Sequence, residues 1–257
     1  MPHSFSIHKA HSRGEVNMGW LRSWHSFSFG SYYNPARMGF GCLRVINDDD
    51  IKPSSGFGTH PHANMEIVTV MLAGTLTHED SMGNRAEIRA GEVQRMSAGT
   101  GIQHSEYNHS KDEAAQLLQI WVLPKCLNIT PSYEQKSFKE LENKSGFQML
   151  VSPEGVDGSL SINQDAYFSV VQLKAGEKIS YEKKLTQFPN NSGVYFFVIN
   201  GEVQIESEKL SYRDAIAFES GNSFAISAST VINKDTSATI TKILAIEVPM
   251  LLKAVDN

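Results

Sequence analysis

Two short stretches of the sequence carry residues able to hold a metal ion. The first is Gly58-Thr59-His60-Pro61-His62, with Glu66 following. The second is Gly99-Thr100-Gly101-Ile102-Gln103-His104-Ser105-Glu106, with Asn108 following. In each, two potential ligands occupy alternate positions. On a β-strand alternate side chains point to one face, about 7 Å apart along the chain. His60 and His62 therefore share a face, and so do His104 and Glu106. If two such strands face each other across a barrel interior, four donors converge on one ion. Three imidazoles and a carboxylate suit a transition metal rather than Ca or Mg, which prefer all-oxygen sites. Four protein ligands leave open positions on a six-coordinate ion. This favours redox or Lewis-acid chemistry on Fe(II) over a closed structural zinc site, with Zn, Mn, Cu, Ni or Co as alternative occupants.

The other polar candidates carry weaker signals. Glu66 admits three readings: a fifth ligand, a hydrogen-bond partner for a ligating histidine, or a charged rim residue. The second is preferred, because ligating imidazoles usually donate their remaining N–H to an acceptor. His3, His8 and His11 read as surface residues, and His78 and His109 as polar loop residues. His25 alternates with Phe27 and Phe29 and reads as a half-buried histidine. All nine histidines lie at or before His109, so only the first half of the chain can supply a histidine-ligated metal.

The elements that must position these residues are strands. Ile67–Leu72 and Leu117–Leu123 are β-branched or apolar runs closed by turn residues. Tyr195–Ile199 runs into Asn200-Gly201, a hairpin signal with Glu202–Ile205 as the return strand. The best candidate for a helix or linker is Tyr133–Asn143. Strand and turn text also recurs between the halves: IVTVMLAGTL, RAGEVQRMSAG and LLQIWVLP are echoed by VYFFVINGEV, YRDAIAFESG and ILAIEVP. Gly74 aligns with Gly201, Gly91 with Asp214 and Pro124 with Pro249, a repeat of roughly 125 residues. The expected fold is all-β, with two tandem barrels and few short helices. The expected domains are 1–130, which binds metal, and 131–257, which lacks ligands, with the join near 125–145.

Composition bounds the rest. The chain has 257 residues, 40% hydrophobic and 20% charged, enough for substantial cores without extensive disorder. A net charge of -5 and no basic stripe argue against a nucleic-acid partner. No apolar run approaches the roughly 20 residues of a membrane helix, and the polar start, Met1 to Arg13, does not read as a signal peptide. Asp48-Asp49-Asp50 reads as a solvated turn. Cys42 and Cys126 read as two thiols of a reducing cytoplasm.

The motifs resemble the cupin superfamily and, within it, the pirin family. His60-x-His62 with Glu66, and Gly101 to His104 with Asn108, match the two parts of the cupin pattern. MGFGCLRVINDDD (Met38–Asp50), GFGTHPHANMEIVTV (Gly56–Val70), HEDSMGN (His78–Asn84) and QRMSAGTGIQHSEYN (Gln94–Asn108) look like bacterial pirin-like proteins, and PSYEQKSF (Pro131–Phe138) resembles the family's interdomain segment. The likeness is specific over 15–140 and only general beyond. It implies a bicupin, two double-stranded β-helix (jelly-roll) barrels, with one metal, normally iron, in the first. The family's ligand positions fall on His60, His62, His104 and Glu106. One departure is Ala63, where the family often has Arg; alternation points it away from the ligand face.

The resemblance further implies quercetin 2,3-dioxygenase activity, the opening of a flavonol by dioxygen. Glu106 would then be the general base that takes the proton of the enolic hydroxyl. Two alternatives stand beside it. One is a metal-dependent, redox-sensitive regulatory module that binds a protein partner, as animal relatives act as nuclear transcription cofactors. The other is a different cupin reaction.

Overall fold

A computed structural model describes residues 4–141, 144–185, 191–230 and 240–250; His3 and the last two residues of the Tyr133–Asn143 segment lie outside them. The chain forms two compact units. One comprises residues 13–139 with 153–164; the other comprises 1–12, 140–152 and 165–257. Two pieces thus depart from a single cut near 125–145. The first strand, Phe5–His8, pairs with Ala215–Phe218 and edges the sheet of the later unit. Residues 153–164 return to the earlier unit, where Asn163 N–H donates to the Glu66 carboxylate at 3.2 Å.

The unit built on 13–139 has two antiparallel sheets. The larger runs in the order Ser132–Ser137, Glu92–Ser97, Glu66–Ala73, Ala115–Val122, Leu43–Ile51, Leu21–His25, Gly14–Asn17. The smaller runs Ser55–His62, Ile102–Asn108, Thr75–Asp80, Arg85–Arg89. Leu21, Ile51, Met71 and Leu117 of the larger sheet pack with Leu76 and Ile88 of the smaller, so the sheets meet over an apolar core.

The later unit repeats this plan. Its larger sheet contains the strands Phe5–His8, Ala215–Phe218, Ser192–Asn200, Ile240–Pro249, Tyr167–Lys174 and Gln148–Ser152, in that order. Its smaller sheet is Lys178–Glu182, Ser223–Ala228, Val203–Ile205, Glu208–Leu210. The central strands of the larger sheets and all four strands of the smaller sheets follow the same order in both units, and the internal repeat is real. Gly74 and Gly201 occupy equivalent bends with φ of +69° and +84°. A Cβ at Gly74 would lie 2.4 Å from the Ala114 carbonyl oxygen, so both the dihedral and the close approach require glycine. The second landmark shifts by one residue. Gly91 N–H bonds to Met71 O and Arg213 N–H to Val198 O, so Arg213, with φ +65°, is the counterpart of Gly91 rather than Asp214.

Three sequence expectations change. Asn200-Gly201 closes no hairpin: Val203–Ile205 leaves for the other sheet and pairs with Glu208–Leu210 and Ser223–Ala228. Tyr133–Asn143 contains a strand, Ser132–Ser137, paired with Glu92–Ser97, followed by a single 3₁₀ turn at Lys139–Leu141. Period two prevails there because Glu134 is tied to Arg95 and Ser161 while Tyr133 stacks on His78. Asp48-Asp49-Asp50 is no turn; it sits within the Leu43–Ile51 strand, with Asp48 and Asp49 buried and Asp48 paired to Arg13 at 3.3 Å. Cys42 is buried and Cys126 exposed, and neither forms a disulfide. Among the described residues no helix is long and apolar enough to cross a membrane.

Candidate metal centre

The strands that bear the candidate ligands do not face each other across the barrel. They are hydrogen-bonded neighbours in the smaller sheet, where His104 lies directly opposite His60 and Ile102 opposite His62. The pairing carries a bulge. His104 and Glu106 are two residues apart, but their partners His60 and Phe57 are three apart. The extra residue in Phe57–His60 brings His60 onto the face of His104 and re-aims its ring. The same bulge places the Gly58 carbonyl 2.8 Å from His60 Nδ1. A carbonyl only accepts, so Nδ1 carries the proton and Nε2 is left as a lone pair.

The rings of His60, His62 and His104 stand 4.5–4.9 Å apart. One nitrogen from each lies within 4.8 Å of the others. Burial, with a further push from His60, lowers the His62 pKa to about 4. Burial, joined by His60, His62 and His78, lowers that of His104 to about 2. At neutral pH His62 and His104 are neutral donors. His104 Nε2 is buried and meets no hydrogen-bond partner, an arrangement that costs about 1–3 kcal/mol unless something occupies it. Three clustered imidazoles with an orphaned ring nitrogen among them fit a borderline divalent ion.

Glu106 joins this group through His104. Its carboxylate lies within 4.8 Å of donor nitrogens of His104 and His78. From the opposite sheet, Gln119 Nε2 donates to both of its oxygens at 3.1 and 3.0 Å, while Thr69 Oγ1 donates to Gln119 Oε1 at 3.1 Å. Burial raises the Glu106 pKa to about 7, against the opposing Gln119 hydrogen bond. A cation beside it would hold the group ionised.

Other candidates fall elsewhere. Glu66 is on the larger sheet and bonds to Ser97 Oγ and the Asn163 amide; burial raises its pKa, and it contacts no ligand histidine. Asn108 ties loop carbonyls of Ile51, Lys52 and Glu113. His25 is more buried than expected and edge-on to Phe29 at 5.3 Å. His8 is not a free surface residue; its Nδ1 lies 3.0 Å from the Tyr195 hydroxyl. Ala63 is exposed, as alternation implied, and so is His109, which read as a polar loop residue. His78 is the main omission: it is fully buried on the Thr75–Asp80 strand, opposite Glu106. Its alternation with Asp80 was a readable signal. Gln119, which reaches the site from another sheet, left none.

Residues 6–122 match the family model described as Pirin, and residues 149–236 match the quercetinase C-terminal cupin domain. The chain is 46% identical over 222 residues to the quercetin 2,3-dioxygenase of Escherichia coli (strain K12), covering 86% of this chain and 93% of that protein. The chain belongs to the pirin family. A pirin-like protein of Caulobacter vibrioides is 41% identical over 202 residues, 78% of this chain and 84% of the relative. The structure of the bacterial pirin YhhW from Escherichia coli in complex with nickel(II) superposes on this pirin with a TM-score of 0.86 and 41% identity. It covers 96% of this chain and all of that one.

In this pirin's second barrel, the strands equivalent to the ligand strands are Lys178–Glu182 and Ser223–Ala228. They pair Tyr181 with Phe224 and Ile179 with Ile226. These residues pack with Phe196 and Phe218 in an aromatic-rich core, so aromatic and aliphatic side chains stand on these strands where the other barrel has imidazoles.

Proposed function

We propose that this pirin is a quercetin 2,3-dioxygenase acting on quercetin or a similar flavonol, with one transition-metal ion held by His60, His62, His104 and Glu106. The single observation that carries the reading is the buried, unpartnered His104 Nε2 clustered with two further imidazoles, in a chain whose relative bears that activity in its name. Iron is the proposed occupant, from the mixed nitrogen and oxygen donors and the open positions they leave; nickel(II), found with the YhhW pirin, is the first competitor.

When bound, the metal would supply Lewis-acid polarisation of an enolic oxygen and a redox route to dioxygen. The chain's own residues do the remainder. Glu106 takes the hydroxyl proton of the flavonol at a carboxylate oxygen, which the adjacent cation keeps ionised and able to accept it. Gln119 fixes the carboxylate by gripping both oxygens. A groove of about 490 Å³, bordered by Pro61, His62, Ala63, Ser81, Gly101, Ile102 and Gln103, borders His62 and lies within the roughly 300–1,000 Å³ typical of ligand sites. Trp121, half-buried and edge-on to His62 at 4.9 Å, and the buried Gln119 flank the imidazoles from the larger sheet.

The test is oxygen consumption by anaerobically iron-loaded protein given quercetin, beside metal-free protein and Glu106→Ala. Uptake that tracks quercetin loss and vanishes in both controls supports the reading. No uptake with iron shown to be bound removes quercetin as substrate and leaves the metal site standing.

A further inference from the structure

The metal reading leaves one buried cluster unused. His78 and Asp80 are wholly buried side chains on the Thr75–Asp80 strand, directly opposite Glu106 and His104 respectively. His78 Nε2 lies 3.0 Å from Asp80 Oδ2. The Asp80 carboxylate only accepts, so this nitrogen carries the proton and His78 Nδ1 is a lone pair. That lone pair faces His104 Nδ1 at 3.4 Å. Two lone pairs cannot meet there, so His104 Nδ1 carries a proton and donates it to His78. The unprotonated nitrogen of His104 is then Nε2, the buried atom that finds no partner in the protein.

We propose that His78 and Asp80 are positioning residues for the metal: together they fix the tautomer and ring orientation of His104 so that its Nε2 lone pair is presented to the ion. The inference rests on the reading of His104 as a ligand. The chain of bonds runs from Asp80 through His78 to His104; Gln94 Nε2, 3.5 Å from the same His78 Nδ1, is a second donor to that lone pair, and His104 is the nearer of the two. Asp80 is itself held. Its Oδ1 accepts the N–H groups of Met82 and Asn84, and its Oδ2 accepts Asn84 Nδ2 at 2.8 Å. This gives the segment HEDSMGN a purpose: its turn braces the carboxylate that braces the histidine. Tyr133 stacks on the His78 ring at 4.7 Å, nearly parallel, and stops it from rotating. His60 is fixed differently, by the Gly58 carbonyl. Ligating histidines usually pass their second N–H to a carboxylate, carbonyl or water, which raises their basicity toward the metal. Here a second imidazole is interposed between ligand and carboxylate.

The test uses the full chain with Asp80→Asn, His78→Leu, His78→Gln and His104→Ala. Nickel(II) affinity is read by chelator competition, the number of metal-bound imidazoles by X-ray absorption, and the Fe(III)/Fe(II) midpoint potential by redox titration. Asp80→Asn keeps an oxygen for the Met82 and Asn84 amides but presents an N–H to His78. His78 must then change tautomer and oppose the His104 N–H with its own. We expect Asp80→Asn and His78→Leu to weaken nickel about 10- to 100-fold and to move the iron potential positive, as His104 becomes a poorer donor. His78→Gln, whose carbonyl can still accept the His104 N–H, should recover most of the affinity. All variants except His104→Ala should keep the wild-type imidazole count. Unchanged affinity and potential in folded Asp80→Asn would overturn the proposal while His104→Ala, by losing metal, still upheld the site. Loss of one imidazole in either His78 variant would make His78 a ligand and overturn it as well. Full metal retention in His104→Ala would remove the metal reading and the proposal together. Should His78→Leu fail to fold, Asp80→Asn decides alone.

Discussion

The chemistry of this pirin turns on which nitrogen of each histidine carries its proton. Single carbonyl, imidazole and carboxylate neighbours settle that for His60 and His104. Replacing His104 with Ala should therefore abolish stoichiometric metal, checked by elemental analysis after loading. Replacing Glu106 with Gln removes the proposed base while preserving shape and the polar contact to Gln119. Metal should remain measurable, and quercetin-dependent oxygen uptake should fall about 10²- to 10⁴-fold; uptake within threefold of wild type would reassign the base. At this scale the sequence was highly informative about donor types. Alternation alone groups His60 with His62 and His104 with Glu106 as the proposed donors, whereas His78 taken singly reads as a loop residue and only its alternation with Asp80 marks it as part of a strand.

Strand register gathers these residues. The bulge in Phe57–His60 sets His60 opposite His104, and no residue in GFGTH announces it. Gly56 shows how tightly the two ligand strands run. A Cβ there would lie 2.3 Å from the Glu106 carbonyl oxygen and 2.5 Å from Tyr107 Cα, both backbone atoms that can move only by displacing the strand. Gly56→Ala should lower both the melting temperature and the nickel affinity, whereas Gly58→Ala, with open space around it, should change the melting temperature far less. Equal losses from the two would show that spacing between the strands is not what Gly56 protects. The Tyr133–Asn143 segment illustrates the opposite failure. Its helix-like text is overridden because an edge strand partner and an Arg95–Glu134 pair were waiting for it.

Across the molecule, one plan is used twice with different contents, so the barrels should respond to different variables. Nickel binding should raise the thermal stability of the metal-free chain by mass action, and His104→Ala should cancel the effect. The second barrel has its own buried acid. Glu247 is fully buried and accepts the Lys184 and Leu185 amides at 2.7 Å and the Tyr181 hydroxyl at 3.2 Å. Burial raises its pKa in spite of those donors. The folded form therefore holds its proton to higher pH than the unfolded form. Stability is greatest below the unfolded carboxylate value, about 4.5, and declines as pH rises from there through the folded pKa, above which it levels off. The melting temperature of Glu247→Gln relative to wild type should thus increase across that window in metal-free protein. A difference that stays flat with pH would exclude Glu247 as the source.

The sequence by itself determined the class of fold and the tandem repeat, and it supplied the four donors proposed for the metal. Strand alternation, glycine bends and ligand chemistry are all local, and local patterns survive in text. It also showed which barrel could hold metal, since the second half has no histidine. Tertiary structure alone decided the rest. It placed both candidate ligand strands in one sheet, exchanged Phe5–His8 and 153–164 between the compact units, buried Asp48 and Asp49 in a strand, and brought Gln119 to Glu106 and His78 to His104. Each of these depends on which distant strand supplies the neighbour. Such pairings are fixed by the burial of whole sheet faces and by register, and no short stretch of sequence contains both partners.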